Sequence, residues 1–163
     1  MFPKETLDLA SALVAACKQN GVMVTTAESC TGGLIAGALT AVSGSSAAFE
    51  RGFNTYSNEA KHELLGVSLE DISDHGAVSE TIAQQMAEGA LAAAPVQLTV
   101  AVTGIAGPDG GTPEKPVGTV QIASAYEGHP TINERYLFPG DRDAVRLATV
   151  NEALRIMLRQ LTG

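Results

Sequence analysis

The chain has 163 residues, enough for one domain with a full core, and its 45% hydrophobic against 17% charged content excludes a disordered segment. A formal net charge of −8, from 10 Lys and Arg against 18 Asp and Glu, argues against nucleic acid as a partner, since phosphate backbones are held by neutralising cations. Cys17 and Cys30 are too few for a disulfide framework or a Cys-based metal site; with no signal-peptide core after Met1 and no apolar run of membrane-spanning length, the expected location is cytoplasmic, without membrane contact.

Leu7, Ala10, Leu13, Val14 and Cys17 fall at helical spacing and predict a helix from about Thr6 to Asn20, stopped by Gly21. Val22 to Thr26 is a β-branched run that predicts a buried strand. Thr31 to about Val42 predicts a small-residue helix, broken by Ser43-Gly44-Ser45-Ser46. Phe49 to Tyr56 predicts a strand, and Asn58 to Leu65 a short helix capped by Asn58. Ser79 to Ala93 predicts a helix with Ser79 as its cap, and Gln97 to Val102 a second buried strand. Val117 to Tyr126 and Thr131 to Phe138 flank the turn residues Glu127-Gly128-His129-Pro130 and predict a hairpin. The last helix is expected from about Asp141 to Arg159, with Asp141 as cap. Alternating helices and strands closed by a hairpin predict a three-layer α/β/α sandwich with a mixed, mainly parallel sheet.

In such sheets ligands gather at the carboxyl ends of the strands. Ser29 follows the first strand, Tyr56 ends the next, Thr103-Gly104 follows the buried strand, and Lys61 lies about a turn beyond Tyr56. A Ser, a Tyr, a Lys and glycine-rich backbone in one cleft can carry acyl transfer through an activated serine. Taken alone, Ser29 is most simply an N-cap, Lys61 a solvated helix residue and Tyr56 strand material; only their combination points to chemistry. Cys30 is either a nucleophile without a His partner or a buried small residue. Ser46 falls at the opposite sheet edge and reads as a turn residue, a cap, or a group supplied to a neighbouring subunit. The Gly104 to Gly111 loop matches neither a Walker nor a Rossmann pattern, so its glycines serve either a tight connection or a close backbone approach to a ligand. Arg142, in the first turn of the last helix, opposes the helix dipole and reads equally as an anion contact or a surface cation. His62, His75 and His129 show no metal-ligand spacing, and no metal is expected.

Thr26-Ala27-Glu28-Ser29-Cys30-Thr31-Gly32-Gly33, Gly44-Ser45-Ser46, Tyr56-Ser57-Asn58-Glu59-Ala60-Lys61, His75-Gly76-Ala77-Val78-Ser79, Gly104-Ile105-Ala106-Gly107-Pro108-Asp109-Gly110-Gly111, Pro116-Val117-Gly118-Thr119-Val120 and Phe138-Pro139-Gly140-Asp141-Arg142 resemble the CinA carboxy-terminal domain family, in order and over nearly the whole chain. With no extra amino-terminal domain in the sequence, the resemblance is to a stand-alone form, a single amidohydrolase domain over residues 1–163. It implies hydrolysis of the carboxamide of nicotinamide mononucleotide to nicotinic acid mononucleotide and ammonia, in pyridine nucleotide recycling, without a cofactor. The family's functional positions fall on Ser29, Ser46, Tyr56, Lys61, Thr103 and Arg142. Ser29 is then the expected nucleophile, with Ser46 the alternative, and Lys61 (or Tyr56 relayed by Lys61) the base. Backbone N–H groups near Thr31 to Gly33 or Gly104 would stabilise the oxyanion. Ser46, Thr103, Gly104, Gly107 and Arg142 would contact substrate, with Arg142 on the phosphate. A homodimer is expected from the alanine-rich helices and the remote Ser46. The competing expectation is a nucleotide-binding accessory module without catalysis.

Overall fold

Helix α1 (Lys4–Asn20) leads into strand β1 (Val24–Glu28), helix α2 (Leu34–Thr40), a 3-10 turn (Ser45–Ala47) and strand β2 (Phe49–Asn54) in the computed structural model, which describes residues 1–163. Helices α3 (Asn58–Leu65), α4 (Leu69–His75) and α5 (Glu80–Ala93) follow, then strands β3 (Leu98–Gly104), β4 (Thr119–Tyr126) and β5 (Ile132–Leu137), and the long helix α6 (Arg142–Thr162). The sheet order is β2-β1-β3-β4-β5. β1 pairs in parallel with both β2 and β3, and β4 runs antiparallel to both β3 and β5. Four strands thus share one direction and β4 alone opposes them, which is the mixed, mainly parallel sheet of a three-layer α/β/α arrangement.

The period of two along β3 divides the core. Leu98, Val100 and Val102 join Leu13, Cys17, Leu154 and Met157 under α1, α2 and α6. Ala101, with Ala27, Ala123 and Ala125, faces Met86, Ala87 and Ala90 of α5 and Leu65 of α3. One face is filled by large side chains; the other is paved with alanine, so α5 lies close to the sheet. Gly89 carries this closeness to α3, because a Cβ built there would fall 1.9 Å from the Leu65 carbonyl oxygen.

Several boundaries differ from the sequence expectation. β1 runs two residues further, to Glu28, because its ladder to β3 continues through Glu28↔Val102. The cap of α3 is Ser57, whose hydroxyl accepts from the Ala60 N–H at 3.0 Å, not Asn58. Helix α4, which ends at His75, is not announced by the sequence, because Ile72 is its one buried residue and apolar periodicity is lacking. Asp141 and Ser79 cap α6 and α5 as expected.

Candidate active site

The carboxyl ends of β1, β2 and β3 share one edge of the sheet, and the start of α6 returns to it after β5. There a cavity of about 180 Å³ is lined by Ser29, Tyr56, Lys61, Thr103, Gly104 and Arg142, together with Cys30, Asn58 and residues of two loops. Ser29 is fixed at the mouth of β1 by its own N–H, which donates to the Val102 carbonyl at 3.2 Å. Lys61, in the first turn of α3, is 1% exposed. Its Nζ lies 3.1 Å from Ser29 Oγ, 3.0 Å from the Thr55 carbonyl oxygen and 3.4 Å from that of Tyr56.

These three contacts constrain the amine. Two are carbonyls, which only accept; the third is a hydroxyl, which can donate. A neutral amine satisfies all three by giving two N–H bonds to the carbonyls and turning its lone pair to the Ser29 hydroxyl. No carboxylate pairs with Lys61. Burial therefore pulls its pKa below the usual lysine value, since removing water disfavours the cation.

The expected anion site at the start of α2 is already filled. Glu28, wholly buried, takes the N–H groups of Gly33 and Ile35 on Oε1, at 3.2 and 2.9 Å, and that of Ala36 on Oε2 at 3.0 Å. It also accepts from the Thr31 hydroxyl at 2.6 Å. Gly32 N–H is spent on the Ser29 carbonyl at 3.1 Å. Within the loop from Ser29 to Gly33, only the N–H groups of Cys30 and Thr31 are without a partner. The sequence pattern does not announce Glu28, because it caps a helix from the preceding strand instead of from the cap position.

Arg142 reaches across the cavity mouth, donating to the Gly107 carbonyl at 2.7 Å and to the Tyr56 hydroxyl at 3.3 Å. Tyr56 is 67% exposed, a rim residue. A second hollow, of about 350 Å³, adjoins across Arg142 and Ala106 and includes Pro108, Val117 and Asp143. Thr103, which lines the cavity, donates its hydroxyl to the Ala77 carbonyl at 3.0 Å. The glycines at 104 and 107 fit the loop to its own chain: a Cβ would fall 2.7 Å from Val120 Cγ2 at the first and 2.5 Å from Val117 Cγ1 at the second. Gly104 also lines the cavity, whereas Gly107 serves it by holding Arg142.

Ser46 is not brought to the site. It is exposed in the 3-10 turn before β2, at the end of the sheet opposite Ser29. Cys30 is present but unreactive in character, since burial pushes its thiol up to about 12. The histidines lie outside the cavity lining; His62 Nδ1 contacts the Val67 carbonyl and His129 stacks on Tyr126. No helix is long and apolar enough to cross a membrane.

Residues 6–161 match the CinA C-terminal domain. The chain is 51% identical over 160 residues to "Nicotinamide-nucleotide amidohydrolase PncC" of Escherichia coli (strain K12), covering 98% of this chain and 97% of that protein. It is 49% identical over 161 residues to a "CinA-like protein" of Citrifermentans bemidjiense, of which the match covers 39%. Among solved structures, the competence/damage inducible protein CihA from Agrobacterium tumefaciens superposes with a TM-score of 0.97 at 48% identity, over 100% of this chain and 99% of that one.

Proposed function

The chain belongs to the CinA C-terminal domain family, and from that premise we propose that it is an amidohydrolase that converts nicotinamide mononucleotide to nicotinic acid mononucleotide and ammonia, with Ser29 as nucleophile. The observation that carries the mechanism is the 3.1 Å contact between Ser29 Oγ and a buried lysine with no carboxylate partner.

Neutral Lys61 takes the Ser29 proton as Oγ attacks the carboxamide carbon. The carbonyl oxygen becomes an oxyanion facing the free N–H groups of Cys30 and Thr31, each such donor being worth about 3–4 kcal/mol. The Lys61 ammonium then gives its proton to the departing nitrogen, and ammonia leaves an ester on Ser29. Water, deprotonated by the again neutral Lys61, cleaves that ester; the proton returns to Ser29 and the acid departs. Thr55 and Tyr56 carbonyls steer the amine throughout, and the tyrosine ring stands at the rim.

The inner cavity is smaller than the ~300–1,000 Å³ of a site for a drug-sized ligand. It suits the pyridine carboxamide, while the ribose and phosphate lie outward against Thr103, Tyr56 and Arg142. The guanidinium is held by neutral partners only, so its charge is available to a phosphate.

The test is ammonia release from nicotinamide mononucleotide by wild type, Ser29→Ala, Lys61→Ala and Ser46→Ala. Release by wild type and Ser46→Ala but not by the other two is expected. Loss in Ser46→Ala with retention in Ser29→Ala overturns the nucleophile; saturable binding by wild type without product makes the protein an accessory module.

A further inference from the structure

Arg146 lies one turn after Arg142 on α6, yet it lines the back of the Ser29 loop rather than the cavity. Its Nε donates to the Cys30 carbonyl at 3.1 Å and a terminal nitrogen approaches the Thr31 carbonyl at 3.4 Å. The other carbonyls of this loop have donors of their own: Gly32 N–H serves Ser29 and Leu34 N–H serves Thr31, each at 3.1 Å, Gly37 N–H serves Gly33 at 2.8 Å, and the Asn54 side-chain amide serves Gly32 at 3.4 Å. Cys30 O has only Arg146. The Cys30–Thr31 peptide is therefore held on its carbonyl side by one guanidinium.

In a planar trans peptide the carbonyl and the N–H point in opposite directions. Fixing the Cys30 carbonyl toward α6 thus fixes the Thr31 N–H away from it. Thr31 and Cys30 carry the loop's two unpartnered N–H groups, and Cys30 lines the cavity beside Ser29. Glu28 grips the same loop from within through the Thr31 hydroxyl, which leaves rotation of the Cys30–Thr31 peptide as the freedom that Arg146 removes.

We propose that Arg146 is a positioning residue for amide hydrolysis: its hold on the Cys30 carbonyl keeps the N–H of Thr31 aimed at the oxyanion formed on Ser29. This rests on the Ser29–Lys61 reading above. Without the guanidinium the peptide can rotate, and a donor aimed at the transition state is replaced by a carbonyl that repels it. Substrate binding, which depends on the cavity and on Arg142, is left in place.

The experiment measures kcat, KM and the thermal transition of Arg146→Ala, Arg146→Gln and Arg146→Lys with nicotinamide mononucleotide. A kcat about 100-fold lower in Arg146→Ala is expected, the loss seen on removing an oxyanion donor. KM should stay near wild type, and Gln or Lys, which can each donate once to the Cys30 carbonyl, should recover part of kcat. Unchanged kcat overturns the proposal; so does a raised KM at unchanged kcat, which would make Arg146 a substrate contact. Should the Ala variant not fold, the order Lys and Gln below wild type in kcat, at wild-type KM, decides the matter in the same way. If wild type is inactive or Ser29→Ala is active, the parent reading fails; if those controls behave and Arg146→Ala turns over normally, this inference alone fails.

Discussion

Lys61 is the residue on which the proposed chemistry turns, and its protonation is set by the fold. A buried ammonium without a counter-ion is disfavoured, so the folded pKa lies below that of the unfolded chain. Between those two values the unfolded chain binds more protons, and stability rises with pH until the unfolded lysine itself deprotonates. Two outcomes are expected. Activity climbs with pH along a limb that ends below the ordinary lysine value and is abolished, by about 10²–10⁴-fold, in Lys61→Arg, which cannot lose its charge. In denaturant titrations at pH 7 and 9.5, wild type gains stability between the two and Lys61→Met does not. An equal gain in both would show that folded Lys61 keeps its proton through pH 9.5 as the unfolded chain does, and would overturn the lowered pKa.

At the scale of elements, α5 decides where α3, and with it Lys61, can sit. Leu65 is one turn after Lys61, and its carbonyl occupies the space where a side chain at Gly89 would begin. Propensity favours alanine over glycine in a helix by about 1 kcal/mol, yet Gly89→Ala is expected to lower both stability and kcat, because α3 must retreat and carry Nζ away from Ser29. Kinetics and thermal melts of this variant check it; a stabilised, fully active protein would show that α3 is placed by other contacts. The helices, the buried strands and the hairpin were legible in the chain because their signals are local: Ser79 and Asp141 at caps, alternation along Leu98 to Val102. Ser29, Tyr56, Lys61, Thr103 and Gly104 were legible as a group because parallel strands end at one edge, whereas Arg142, on a helix from the far end of the chain, joined them only through the family resemblance. Glu28 and Arg146 were not, since a carboxylate capping a helix from a strand and a guanidinium on a loop's carbonyls leave no periodic trace. Helix α4 escaped for want of apolar residues.

The whole molecule carries a net charge of −8 and is proposed to bind an anion. Its ion pairs show how the two facts coexist. Lys4, Arg51, Arg155 and Arg159 are spent on carboxylates, whereas Arg142 and Arg146 donate to carbonyl and hydroxyl oxygens and keep their charge uncompensated. Two guanidinium groups without carboxylate partners thereby stand at the edge of the sheet that holds Ser29. Arg142→Ala is expected to raise KM about 10–100-fold, as for a lost hydrogen bond to a charged group, and wild-type KM to rise with ionic strength more steeply than that of the variant. Equal salt dependence would place the phosphate elsewhere.

The pairing of Ser29 with Lys61 spans only 32 positions of sequence, from the end of β1 to the first turn of α3. Thr103, the Gly104–Gly111 loop and Arg142 come from the other half of the chain. In the proposed reading the reactive pair therefore lies in one stretch of the gene and the substrate grip, Tyr56 apart, in another. Substitutions between 103 and 142 can alter which amide is accepted without touching the pair that cleaves it, and a library aimed at new substrates belongs there.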